Sequence, residues 1–109
     1  MPGNSSRTGA SVWSIAHLDR SITLSDLAGR ARVSPRTLAR RFEEQLGTSP
    51  GRWLLTQRVT AARRLLEETD LPVDAIAARV GLNSATNLRR RFHTLLGTTP
   101  AAYRRAFRG

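Results

Sequence analysis

The chain has 109 residues and carries 18 basic side chains, all of them arginine, against 8 acidic ones, for a formal net charge of +10. That length makes one domain or two very small ones, and a charge of that sign selects nucleic acid ahead of an anionic membrane or an acidic protein. With no cysteine, disulfides, thiol catalysis and cysteine-ligated zinc are excluded, and no apolar run approaches the ~20 residues that a membrane span needs.

The first eleven residues, "MPGNSSRTGAS", are rich in Gly and Ser and read as a disordered tail or a linker. From residue 12 onward every segment reads as a short helix, and no stretch alternates with the two-residue period of a strand. The first helix is expected at about 12–19, with Trp13, Ile15 and Leu18 apolar. Thr23 is placed as an N-cap with Asp26 three residues on, and Ile22 and Leu27 as a hydrophobic staple, which starts a helix over "LSDLAGRA". Ser34 followed by Pro35 starts a third helix that stops at Gly47. Ser49 and Pro50 start a fourth, which runs to about Thr69, where "TDLP" breaks it. Further helices are expected at about 73–79, at 84–96 with Gly97 as the stop, and from Thr99–Pro100 onward. The fold class is therefore all-α, with about seven helices.

The second half of this string repeats the first. Leu27, Ala28 and Val33 match Ile76, Ala77 and Leu82. One residue is added in the second turn, "GLNS" against "RVS", and from there Leu38, Phe42, Leu46, Gly47, Pro50 and Trp53 match Leu88, Phe92, Leu96, Gly97, Pro100 and Tyr103 at an offset of fifty. Each copy is a helix-turn-helix unit. The expected division is 12–49 for the first unit, 50–69 for a linker helix and 70–109 for the second unit.

A helical wheel separates two faces on the second helix of each unit. In the first, Leu38, Phe42, Gln45 and Leu46 cluster inward, while Arg36, Thr37, Arg40, Glu43 and Glu44 lie outward. In the second, Leu88, Phe92, Leu95 and Leu96 are inward and Thr86, Asn87, Arg90, His93 and Thr94 outward, with Arg89 and Arg91 on the flanks. The inward set is nearly identical in the two copies and the outward set is not, as expected if each copy reads a different surface. In a helix-turn-helix unit the second helix enters the DNA major groove. Arginine there holds guanine O6 and N7 together, and asparagine does the same for adenine N6 and N7. Arg36, Arg40, Asn87, Arg89 and Arg90 are the candidate readers, with Thr37 and Thr86 facing phosphate or a thymine methyl. The helix starts at Ser34, Ser49, Ser84 and Thr99 are candidate phosphate contacts through their first-turn amides. A linker of about 18 residues, at about 1.5 Å each, measures about 27 Å. Successive major grooves on one DNA face lie about 34–36 Å apart. One monomer then spans two grooves on an asymmetric site.

Between residues 12 and 107 these motifs resemble the DNA-binding domain of the AraC/XylS family of bacterial transcription regulators. The marks are densest in "IAARVGLNSATNLRRRFHTLLGTTPAAYRR", and "SPRTLARRF" in the first unit is also typical. The resemblance implies base contacts at Arg36, Ala39, Arg40, Thr86, Asn87, Arg89 and Arg90. Alanine at 39 rules out a hydrogen bond there, and Leu82 stands where the family usually has Phe. The segment "RLLEETDLPVDAIAARVGLNSATNLRRRF" further resembles the branch with an N-terminal glutamine amidotransferase-like domain, a domain this sequence lacks. The resemblance also implies a bacterial cytoplasmic, nucleoid-associated protein and contact with RNA polymerase, for which no residue stands out.

Other chemistries have little to stand on. His17 and His93 are isolated, so no metal or cofactor is expected. Glu43, Glu44, Glu67 and Glu68 read as helix-surface partners of arginine, and no constellation supports an enzyme. Arg41 and Arg91 sit beside the core. Arg104, Arg105 and Arg108 form a basic end, equally a phosphate contact or a solvated tail. A sequence-blind basic binder needs no distinct outward faces, and a protein-interaction bundle would show apolar residues on them.

Overall fold

A computed structural model of the chain describes residues 22–109. The helix expected at 12–19, with Trp13 and His17, lies outside the described residues. Within them there are six helices: α1 (Leu24–Ala31), α2 (Pro35–Leu46), α3 (Pro50–Glu68), α4 (Val73–Arg79), α5 (Ala85–Leu96) and α6 (Pro100–Arg108). The expected count of about seven is corrected to six for this part of the chain.

The starts are set by local chemistry. Thr23 and Asp26 form the expected capping box: the Asp26 amide donates to Thr23 Oγ1 at 3.1 Å and the Thr23 amide to Asp26 Oδ2 at 2.9 Å. Those hydrogen bonds hold the Asp26 carboxyl below its ordinary pKa. Ser34, Ser84 and Thr99 cap α2, α5 and α6 one way only, each side-chain oxygen accepting from the amide three residues on, and the Arg52 amide donates to Ser49 Oγ in the first turn of α3. Gly47 and Gly97 end the second helix of each unit at φ 68° and 72°.

The chain divides into two compact units, Met1–Leu54 and Leu55–Gly109. In the first, Leu27, Ala28 and Ala31 of α1 close on Leu38 and Phe42 of α2, with Ile22, Val33 and Trp53 packed against them. Ile22 packs against the cluster that contains Leu27, in keeping with the expected staple. In the second, Val59, Ala62 and Leu66 of α3 join Ile76 and Ala77 of α4, Val80 and Leu82 of the turn, and Leu88 and Phe92 of α5. The repeat is a repeat of packing. Phe42 meets Trp53 edge to face at 5.7 Å, and Phe92 meets Tyr103 likewise at 5.8 Å.

The two turns share one hydrogen-bond pattern. Arg32 and Val33 donate to Gly29 and Ala28 carbonyls; Gly81 and Leu82 donate to those of Ala78 and Ala77. Both first helices thus end in a Schellman motif, whose last step demands a left-handed residue. The second unit supplies Gly81 at φ 78°, the first Arg32 at φ 59°. The added residue of the second turn, Asn83, is also left-handed at φ 60°, a conformation asparagine tolerates better than most residues. A side chain at Arg32 costs about 1 kcal/mol relative to glycine. Arg32→Gly is therefore expected to raise the thermal midpoint by a few degrees; an unchanged or lower midpoint would show that the arginine side chain outweighs the strain.

Candidate nucleic-acid interface

The second helix of each unit presents its outward face as the wheel requires. In the first unit Arg36 and Arg40 are exposed, Thr37 and Ala39 half-buried. Ser34 Oγ accepts from the Thr37 amide at 3.1 Å and donates to Thr37 Oγ1 at 2.9 Å, so cap and threonine form one small network. Arg40 lies 3.5 Å from Glu44, both side chains 59% exposed. An ion pair that exposed is worth about 0–1 kcal/mol, less than the ~1–3 kcal/mol of a bidentate guanine contact, so Glu44 does not hold Arg40 back from a base.

In the second unit Thr86, Arg89 and Arg90 are exposed and Asn87 is half-buried. Asn87 Nδ2 donates to the Leu82 carbonyl at 3.2 Å, and Asn87 Oδ1 accepts from Arg90 Nη2 at 3.0 Å. Thr94 Oγ1 turns back to the Arg90 carbonyl at 2.9 Å. Arg41 and Arg91 are half-buried beside Phe42 and Phe92, as the wheel puts them.

The four helix starts share a geometry suited to an anion. The hydroxyls of Ser34, Ser49, Ser84 and Thr99 take the third first-turn amide, and proline at 35, 50 and 100 removes the first. That leaves the second-position amides of Arg36, Gly51, Thr86 and Ala101 without an intrahelical acceptor, at the positive end of the helix dipole. No group of three or more His, Cys, Asp or Glu able to hold a metal occurs among the described residues, and no helix among them is long and apolar enough to cross a membrane.

Residues 27–106 match the family model described as a helix-turn-helix domain. The fold matches the crystallised DNA-binding domain of AdpA in complex with a target DNA, at TM-score 0.88 and 44% identity over 93% of this chain and 91% of that one. It also matches an AraC-type regulator from Chromobacterium violaceum, at TM-score 0.89 and 27% identity over 94% and 92%. The chain belongs to the AraC/XylS family of helix-turn-helix DNA-binding domains. In sequence it is 46% identical over 84 residues, 77% of its length, to the HTH-type transcriptional regulator Rv1931c of Mycobacterium tuberculosis, and covers 32% of that protein. The chain thus spans about a third of the length of that curated relative. The family is one of transcription regulators, not of enzymes.

This AraC-type domain departs from the sequence reading at three places. Gln45, Leu46, Leu95 and Leu96, expected inward, are exposed, the three leucines by 40–41%. They occupy the last turn of their helices, past the end of the packed core. Two arginines of the basic end, Arg104 and Arg108, are bonded within the chain, while Arg105 is exposed. Arg104 donates to the Leu66 and Thr69 carbonyls at 3.2 and 3.0 Å, and Arg108 donates to the Thr69 carbonyl and, at 2.6 Å, to Asp70. These guanidiniums satisfy the orphan carbonyls at the end of α3, where a cation is also favoured by the dipole. Arg108 in turn holds the Asp70 carboxyl below its ordinary pKa. Beside them the Tyr103 hydroxyl donates to Glu67, which raises the tyrosine pKa, and Arg63 lies 3.9 Å from the same carboxylate.

The third departure is Arg58. It is 7% exposed and donates to the Val80 carbonyl at 2.6 Å. Burial lowers its pKa, but an arginine starts so high that it keeps its charge. Sequence reasoning passed over it, although Leu54, Arg58, Ala62 and Leu66 form a buried stripe at four-residue spacing in which Arg58 is the one polar member.

Proposed function

We propose that the domain binds double-stranded DNA in a sequence-specific way for transcription regulation, with α2 and α5 each in a major groove of one asymmetric site. The observation that carries this reading is the contrast between the units: one core, built twice, under two different arginine-bearing faces. The likeness to the AdpA domain, itself crystallised with a target DNA, supports it. Arg36 and Arg40 read for the first unit, Arg89 and Arg90 for the second, with Thr37 and Thr86 against phosphate or a thymine methyl. The second-position amides behind Ser34, Ser49, Ser84 and Thr99 hold phosphates. The domain acts as a monomer and needs no cofactor. The full protein works in a bacterial cytoplasm on the nucleoid and meets RNA polymerase, and the segment 64–92 places it in the branch that resembles regulators with an amidotransferase-like domain.

Selection of bound sequences from random duplexes, at physiological salt and with excess competitor, tests this. An asymmetric motif with two short blocks about one helical turn apart supports it. Tight binding without a motif, collapsing steeply as salt rises, would make the domain a phosphate-driven binder. Arg40→Ala is expected to cost about 1–3 kcal/mol on the selected site and to relax one base pair; an equal loss on all sequences would remove Arg40 from the readers.

A further inference from the structure

Asparagine reads adenine with both ends of its amide: the oxygen accepts from N6 and the nitrogen donates to N7. In Asn87 both ends are engaged. Nδ2 donates to the Leu82 carbonyl inside the turn, and Oδ1 accepts from Arg90 Nη2. The side chain is half-buried, whereas Arg89 and Arg90 are exposed. The amide cannot turn over, because that would set its oxygen against a carbonyl and its NH2 against a cation.

We infer that Asn87 is a positioning residue for Arg90 and not a reader of its own base. The inference rests on the base-reading function proposed above. The main chain of the turn fixes Asn87, and Asn87 fixes the guanidinium. One of the five arginine N–H groups is used in this way, and enough remain for guanine O6 and N7. The first unit restrains the matching arginine from the opposite side. There Thr37 stands in place of Asn87, its hydroxyl bound to Ser34, and Arg40 pairs with Glu44 one turn further along. In the second unit the residue matching Glu44 is Thr94, whose hydroxyl turns to the Arg90 carbonyl and offers the guanidinium nothing. The two units therefore aim the same arginine by different means, and the second reads one base pair with two residues.

The test compares sequences selected by the unaltered domain, Asn87→Ala, Asn87→Thr and Arg90→Ala, with the fold of each checked by circular dichroism. Asn87→Thr installs the residue that the first unit folds with, and serves if Asn87→Ala loosens the turn. Asn87 variants are expected to lose preference at the same base pair as Arg90→Ala, leaving every other position unchanged, and a protein that carries both Asn87→Ala and Arg90→Ala is expected to be no worse than Arg90→Ala alone. Loss of an adenine at a different base pair, or no change at any position, would overturn the inference while leaving the base-reading function standing. Absence of any motif from the unaltered domain would overturn that function and the inference with it.

Discussion

Phe92→Ala is expected to cost about 3–5 kcal/mol and to unfold the second unit. Phe92 is fully buried among Val59, Leu66, Ile76, Val80 and Leu88, and it carries the edge-to-face contact with Tyr103. A cavity of that size has little slack to collapse into, since the walls are other core residues from three helices. Whole domains hold only about 5–15 kcal/mol, and a unit of residues 55–109 sits at the low end of that range. Amide hydrogen exchange is the measurement: residues 55–109 lose protection while those of α1 and α2 keep theirs. Phe42→Ala is expected to do the reverse. Loss of protection across both units from either change would show that they unfold as one, and a cost under about 1 kcal/mol would refute the packing account.

Arg58→Met is the second large effect expected. Methionine fills most of the arginine volume and is flexible enough to pack, so little of the change is a cavity. What is lost is the donor to the Val80 carbonyl, which stays buried. An unsatisfied buried carbonyl costs about 1–3 kcal/mol. Denaturant unfolding reads the stability. The turn from Val80 to Ser84 sets the start of α5, so affinity for the selected DNA site is expected to fall as well. A gain in stability would mean that desolvating the guanidinium costs more than its bonds return.

Which parts of this were legible in the sequence follows from the range of the forces involved. The starts at Thr23, Ser34, Ser49, Ser84 and Thr99 are written within three residues, because a cap bonds the amide three positions on. The cores were legible because Leu27, Leu38 and Phe42 recur as Ile76, Leu88 and Phe92. The wheel misplaced Gln45, Leu46, Leu95 and Leu96 because it records angle and not height; a helix that outruns its core exposes every side of its last turn. Arg58, Arg104 and Arg108 were illegible for another reason. Their acceptors are carbonyls 22–42 residues away, and a carbonyl leaves no letter in a sequence. The outward arginines were visible as candidates, but the difference between Arg40, paired with Glu44, and Arg90, held by Asn87, needed coordinates.

The bonds that Arg58, Arg104 and Arg108 make to Val80, Leu66 and Thr69 bear on how the domain tolerates mutation. Every residue carries the same carbonyl. Exchange of the side chain at Thr69 or Val80 leaves the acceptor in place, whatever it does to packing, while exchange of an arginine removes the bond outright. Genetic drift is thus one-sided across these contacts: the receiving positions can wander through many alleles and the donating ones cannot. Paired substitutions, the usual trace of two side chains that depend on each other, would not record these contacts at all.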